Sequence, residues 1–181
     1  MNDEPITNYE DVTVYGLDAD KEQRLVDEQN ELTFSWITKD GSPMSVIMSY
    51  FRTDDGHFWM TASGQRKRVP AIRRDPRVAL VITSPGTSLG PGKTVTYKGT
   101  AVVHDAQSPG WDKLKAWFYL ALARRIRGRH GDDMVKEFAV MLDSPRRVII
   151  EVTPGLRVGY DGDKMREATI AARRAGVLHL D

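Results

Sequence analysis

The chain has 181 residues, with 26 Lys and Arg against 25 Asp and Glu, 40% hydrophobic and 28% charged residues. This is the make-up of one globular domain with enough chain for its own core. The absence of cysteine excludes disulfides, thiolate chemistry and Cys-ligated metals, and a net charge of +1 leaves room for nucleic-acid binding only through a local basic surface. No apolar run approaches the roughly 20 residues of a membrane span. The start, Met1-Asn2-Asp3-Glu4-Pro5, is polar and acidic, unlike a secretory leader, so the expected location is the cytoplasm.

Residues 1–17 show no period and read as an extended arm. Asp20 and Gln23 resemble a capping box opening a short helix over 21–30, with Leu25 and Val26 inward. From Leu32 the period becomes two. A strand over 32–37 ends at the Asp40-Gly41 turn, a second runs over 43–53 to Asp54-Asp55-Gly56, and a third covers 57–61. Pro70 fits the first turn of a short helix that ends near Arg74, and Asp75-Pro76 stops it. The Val, Leu and Ile of 77–83 predict a strand buried on both faces.

A Gly, Pro and Ser-rich loop over 84–92 leads to a long strand over 94–103, with Val95, Tyr97, Gly99 and Ala101 on one face and a bend at Gly99. Trp111, Leu114, Phe118, Ala121 and Leu122 recur at helical spacing, predicting a helix over 111–127 after Ser108-Pro109. A second helix follows over 133–142. A strand over 147–152, a short one over 158–160 and a helix over 164–174 complete the chain. The pattern predicts a mainly β fold with helices, an antiparallel barrel with peripheral helices. Its parts are an arm and short helix (1–31), a barrel domain (32–160) with a helical insertion (108–142), and a C-terminal helix and tail (161–181). Trp36 and Trp59 are expected inside the barrel.

The chemical signal lies in Phe58-Trp59-Met60-Thr61-Ala62-Ser63-Gly64-Gln65-Arg66-Lys67-Arg68. A strand runs into a Thr/Ser/Gly loop that offers hydroxyls and backbone N–H groups, and cations follow at once. That is a way to hold a phosphate. Apolar strands on either side give a flat ring somewhere to lie, which points to a phosphorylated planar cofactor. Arg68, Arg73 and Arg74 read as solvent-facing helix charges. The second basic cluster, Arg124, Arg125, Arg127, Arg129 and His130, lacks interleaved aromatic residues, which argues against nucleic acid. His57, His104, His130 and His179 lack zinc-type spacing, so no metal site is expected. No serine stands in a nucleophile-elbow pattern.

From the first Asp-Gly turn to "FWMTASGQRKRVPAIRRDPRVALVI" and "YKGTAVVHD", the chain resembles the pyridoxamine 5'-phosphate oxidase-like split-barrel superfamily. Within it, the chain is similar to the flavin/deazaflavin oxidoreductases, which use coenzyme F-420 or FMN. With the meander of strands, the resemblance implies an antiparallel split β-barrel of about six strands with peripheral helices, forming a homodimer with the cofactor at its interface. Ser45, Val46 and Ile47 would lie beside the ring, Thr61 at the loop, and Gln65, Arg66 and Lys67 at the phosphate. Ser45 stands where an FMN-contacting Arg would fall in a true pyridoxamine phosphate oxidase, and the tail from Ala175 to Asp181 lacks that enzyme's Arg-rich substrate motif. Both departures argue against vitamin B6 oxidation, and the first favours F-420 over FMN. The implied activity is hydride transfer between F-420 and a small organic substrate, with FMN as the alternative cofactor. A non-catalytic flavin, deazaflavin or haem binder is the alternative of another class. Ser49, Tyr50 and Tyr97 are candidates for a proton donor.

Overall fold

The computed structural model describes residues 12–176. A short turn of 3-10 helix at Val12–Val14 leads to α1 (Ala19–Glu28), β1 (Glu31–Ile37), β2 (Pro43–Ser49), β3 (Phe51–Arg52) and β4 (Phe58–Ser63). Next come α2 (Arg68–Arg74), β5 (Arg77–Thr83), β6 (Lys93–His104), α3 (Trp111–Arg127), α4 (Asp132–Leu142), β7 (Arg147–Asp161) and α5 (Gly162–Arg174). All the strands join one sheet of seven in the order β2-β1-β5-β6-β7-β4-β3, each neighbour antiparallel. The sheet curls until β2, at one edge, approaches β4 near the other. A seam stays open between them, so the fold is an antiparallel split β-barrel with peripheral helices.

Side chains alternate across a strand, so every second residue enters the barrel. Phe34, Met60, Leu80, Ile82, Val95, Ile150 and Val152 fill it, with Leu25 and Val26 of α1 and Val69 and Ile72 of α2 packed onto the same core. A separate cluster lies outside the barrel. Phe51, Trp59 and Ile149 turn away from the first core and meet Phe118, Leu122 and Leu142 of the helical insertion. Trp36 packs inside as expected, whereas Trp59 lies under α3, edge-on to Trp117 at 5.1 Å and stacked on His104 at 6.0 Å. The helices over 108–142 thus roof an apolar patch that the barrel leaves exposed.

Several expectations need correction. There are seven strands among the described residues, and the stretch 43–53 breaks at Tyr50 into β2 and β3. The stretches 147–152 and 158–160 are one continuous strand, β7. Antiparallel pairing with β6 carries that strand across Pro154 and Gly155, the turn-like residues that hid it. Strand β5 is buried on one face only. Val78, Leu80 and Ile82 point inward, while Ala79 and Val81 are half-buried and Arg77 and Thr83 exposed. Helix α1 starts after Asp18, so Asp20 sits in its first turn and does not cap it. Helix α5 starts at Gly162, ahead of 164, because the Asp161 carboxylate caps it by accepting the Asp163 N–H. Within the expected arm, Tyr15 and Leu17 are buried, and residues 1–11 lie outside the described residues. The bend at Gly99 is present. The β6–β7 register shifts there, and a Cβ at this position would lie 2.7 Å from the Thr153 carbonyl oxygen.

Candidate functional site

The seam presents the outward face of β2 and the end of β4. Pairing with β1 sets Ser45 opposite Ser35 and Ile47 opposite Thr33, so Ser45, Ile47 and Ser49 share the outward face. Val46 and Met48 turn to the core. A cleft of about 220 Å³ opens here, walled by Ile47, Met48, Ser49, Thr61 and Arg68 and roofed by Leu122 and Ile126 of α3 and Phe138 and Leu142 of α4. Leu122 and Ile126 lie four residues apart, on one helical face. The Thr61 hydroxyl donates to the Val148 carbonyl at 2.7 Å, which fixes its rotamer against β7.

Past Thr61 the chain reverses through a tight turn. The Arg66 N–H donates to the Ser63 carbonyl at 3.0 Å, and the Gly64 N–H donates to the Arg146 carbonyl at 2.7 Å. A Cβ at position 64 would sit 3.1 Å from that Arg146 oxygen, a tight contact. The turn leaves Gln65, Arg66 and Lys67 exposed. Lys67 faces a different groove, of about 400 Å³, lined by Trp36, Thr38, Lys39, Met44, Pro70, Ala71 and Arg74. Arg68, the first residue of α2, faces the cleft. It is half-buried, and its Nε is buried without a hydrogen-bond partner. Burial, and secondarily the neighbouring Arg66 charge, push its pKa below the ordinary arginine value.

The structure therefore brings Ile47 and Thr61 into one cleft and puts Ser45 two residues up the same face. Val46 packs inward, Gln65 and Arg66 ride the exposed turn, and Lys67 lines the second groove. The Ser45 hydroxyl shares a 2.8 Å hydrogen bond with Ser35. Two polar residues of the cleft are not among the site residues expected from the sequence: Ser49, considered only as a proton donor, and Arg68, read as a solvent-facing charge. Their spacing carries a signal. Ser49 continues the alternation of Ser45 and Ile47, and Arg68 starts the helix.

Tyr50 and Tyr97 are corrected as proton donors at the site. Both are buried in the core. The Tyr50 hydroxyl donates to the Val26 carbonyl at 2.9 Å, and the Tyr97 hydroxyl is bonded to the Glu22 carboxylate. Burial raises the pKa of each, and Glu22 raises that of Tyr97 further. Arg73 and Arg74 face solvent as expected, and each also has a partner. Arg73 pairs with Asp105 at 2.5 Å, and Arg74 donates to the Ile37 carbonyl at 2.9 Å.

The second basic cluster divides. Arg125 donates to the carbonyls of Val26 and Gln29 at 2.8 and 2.6 Å, and Arg127 lies over Phe138 at 5.3 Å. Arg124, Arg129 and His130 are exposed. Of the other histidines, His57 and His104 each bond one oxygen of Glu151, at 2.6 and 2.8 Å, while His179 lies outside the described residues. No group of three His, Cys, Asp or Glu suited to a metal occurs among the described residues. No helix among them is long and apolar enough to cross a membrane.

Comparison with known proteins fits this architecture. A family model described as Pyridoxamine 5'-phosphate oxidase matches residues 19–155. No curated protein sequence matches the chain. Among solved structures, the conserved hypothetical protein Rv2991 from Mycobacterium tuberculosis superposes with a TM-score of 0.63 at 20% identity, over 92% of this chain and 93% of that one. An F-420 reductase superposes with a TM-score of 0.52 at 18% identity, over 74% and 92%. HutZ, a haem storage protein from Vibrio cholerae, gives 0.57 at 12% identity, over 80% and 97%. Identities this low establish the shared fold.

Proposed function

The chain belongs to the pyridoxamine 5'-phosphate oxidase family, and on that premise we propose that it is a deazaflavin-dependent oxidoreductase, transferring hydride between coenzyme F-420 and a small organic substrate. FMN is the alternative cofactor. The observation that carries this reading is the roofed cleft at the seam, where a half-buried Arg68, its Nε without a partner, shares the lining with the Ser49 hydroxyl and the apolar edge of Ile47. This donor set fits a phosphorylated planar ring: the cation and the Ser49 hydroxyl for the phosphate, an apolar strand edge for the ring. The likeness to an F-420 reductase supports the choice of cofactor, as does Ser45 in place of an arginine.

Bound there, the cofactor would supply hydride transfer at its central ring. The chain's own part is to bind, orient and exclude water. Ile47 offers the ring an apolar surface, Arg68 and the Ser49 hydroxyl hold the anionic end, and Leu122, Ile126, Phe138 and Leu142 keep water out. A second copy of the chain covers the remaining outward face of β2, β1 and β5, where Ile47 is 62% exposed and Val81 half-buried. Light scattering tests this, since a concentration-independent mass of 20.4 kDa removes the dimer.

Titration of the protein with F-420, FMN and haem, followed by cofactor fluorescence and absorption, tests the reading as a whole. Saturable F-420 binding followed by turnover of a quinone or enone panel upholds it. FMN binding alone moves the assignment to FMN, and cofactor binding without turnover makes the protein a carrier. The likeness to a haem storage protein is the reason to include haem. Against a haem ligand, His57 and His104 both already serve Glu151.

A further inference from the structure

We infer that a groove between α1 and the edge strand β3 is a second ligand site, one for a small polyanion bearing phosphate or carboxylate groups. The groove has a volume of about 420 Å³ and is walled by Leu17, Ala19, Glu22, Gln23, Arg52 and Arg157. No residue lines both this groove and the seam cleft, so the inference does not rest on the cofactor reading.

Among the described residues, Arg52, Arg68, Arg125 and Arg147 each bury an Nε without a hydrogen-bond partner. Their surroundings set Arg52 apart. Arg125 spends its outer nitrogen on the Val26 and Gln29 carbonyls, Arg68 belongs to the cleft, and Arg147 walls neither cavity. Arg52 lines the groove and has little else to hold. Its Nη1 reaches the Gln23 side-chain oxygen only at 3.5 Å, the outer limit of a hydrogen bond. No carboxylate among the described residues lies within ion-pair distance of it, and the Phe58 ring covers one face of the guanidinium at 5.6 Å.

Glu22 is the one acid in the wall, and its charge is already answered. It accepts from the Tyr97 hydroxyl and from the Arg157 Nε. Arg157 gives its Nη2 to the Leu17 carbonyl at 2.6 Å, which leaves Nη1 for a ligand. Burial and then Glu22 raise the Tyr97 pKa, and the charges of Arg52 and Arg157 both oppose them, so the two guanidiniums converge on one region. The adjoining groove, beyond Arg52, is lined by Asp27 and Asp54, so an anion is drawn to the α1 side.

The wall also selects the ligand. Guanidinium forks match the paired oxygens of phosphates and carboxylates, and two of them, on β3 and β7, suit a ligand with more than one anionic group. The volume lies within the roughly 300–1,000 Å³ of small-molecule sites. Only Leu17 and Ala19 are apolar, so the ligand has no large apolar part.

The test is calorimetric titration of the full chain at low salt with pyrophosphate, citrate, succinate and, as a monoanion, acetate. Pyrophosphate or the polycarboxylates should saturate a site in the parent, with acetate binding far more weakly. Arg52→Gln should weaken that site about tenfold, the lower end for a hydrogen bond to a charged group, because the groove is open to water. Arg52→Lys should fall between, and it keeps the charge if Gln disturbs folding, which thermal unfolding checks. Arg68→Met, which on the cofactor reading weakens FMN binding, should leave the polyanion site intact, while Arg52→Gln should bind FMN as the parent does. Pyrophosphate binding alone identifies a phosphate ligand, and citrate or succinate binding alone a carboxylate. If the parent binds none of these anions, or Arg52→Gln and Arg52→Lys both bind them as the parent does, the site is overturned. If Arg68→Met abolishes polyanion binding and Arg52→Gln does not, the anion belongs to the seam and the inference falls. Failure of the parent to bind FMN or F-420 removes the cofactor reading and leaves this test as it is.

Discussion

The two charged regions of this barrel handle their ions in opposite ways. Along the flank that joins α1 to β6, β7 and α5, the charges of Glu22, Lys21, Lys93 and Asp161 are answered. Glu22 accepts from Tyr97 and Arg157, and Lys21 reaches the buried Asp161 at 2.6 Å. Lys93 is held by the carbonyls of Leu89 and Pro91 and by Asp163. At the seam, Arg68 is half-buried and unanswered. A closed network has used its interaction energy on the fold, whereas an open charge keeps that energy for a ligand. Substitutions on the flank should therefore cost stability, and substitutions at the seam should cost binding.

The largest effect is expected on the flank. Glu22→Ala leaves the Tyr97 hydroxyl and the Arg157 guanidinium without their acceptor. Breaking a fully buried pair costs about 3–5 kcal/mol. Because the Arg157 side chain is 39% exposed, water recovers part of this, and about 2–3 kcal/mol is expected in urea unfolding. A loss below about 0.5 kcal/mol, the scale of an unremarkable surface change, would abolish the distinction between the two regions.

The roof shares both roles and should sit between them. Phe138 is half-buried, packs on the cluster formed by Phe118, Leu122 and Leu142, and reaches into the cleft. Full burial of Phe makes its truncation cost about 3–5 kcal/mol, so Phe138→Ala should lose about 1–2 kcal/mol. It should also weaken cofactor binding severalfold by letting water in beside Arg68. Loss of stability with no change in affinity would mean that the roof belongs to the fold alone.

The sequence disclosed the fold more fully than the site, for a physical reason. Alternation of apolar residues in 32–37, the apolar run of 77–83 and the helical spacing of Trp111, Leu114, Phe118 and Leu122 are local patterns, and they became β1, β5 and α3 almost residue for residue. Strand β7 was legible only in pieces, since β6 supplies the pairing that carries it through Pro154 and Gly155. The site was hardest to read because three cations in a row look alike in one dimension. Which of them is buried depends on where α2 leaves the turn and on helices more than fifty residues downstream. Tyr50 misled for the same reason: its hydroxyl has a partner on α1, and nothing in its own strand announces it.

Acid offers a gentler probe of the flank. Burial pushes the pKa of Asp161 up, but the Lys21 ammonium and the Asp163 N–H outweigh it, so the carboxyl stays below its ordinary value. A group with a depressed folded-state pKa contributes stability above its unfolded value, roughly 3.9, and loses it as pH falls through the folded value. Unfolding free energy should therefore decline from about pH 4 downward, with a shallower slope in Asp161→Asn. Identical slopes in parent and variant would show that Asp161 does not contribute to the acid limb.

The smallest effect is expected at the seam's outer cation. Lys67 is exposed and lines the groove beside Trp36 rather than the roofed cleft. An exposed charge acts through water and is screened beyond about 8 Å at physiological ionic strength. Lys67→Ala should therefore weaken cofactor binding about two- to threefold in low salt, in keeping with the small energies of exposed pairs. The difference should vanish near 0.5 M salt, because its source is attraction at a distance. Stability should not change, since no intramolecular partner is lost. Arg68→Met should keep most of its defect in the same salt, because its charge lies under an apolar roof. If Lys67→Ala instead lost as much affinity as Arg68→Met, with the same salt resistance, the ligand would be gripped from the outer groove. The pair next to the turn would then be the true anchor, and burial would have been the wrong guide to which cation the ligand meets.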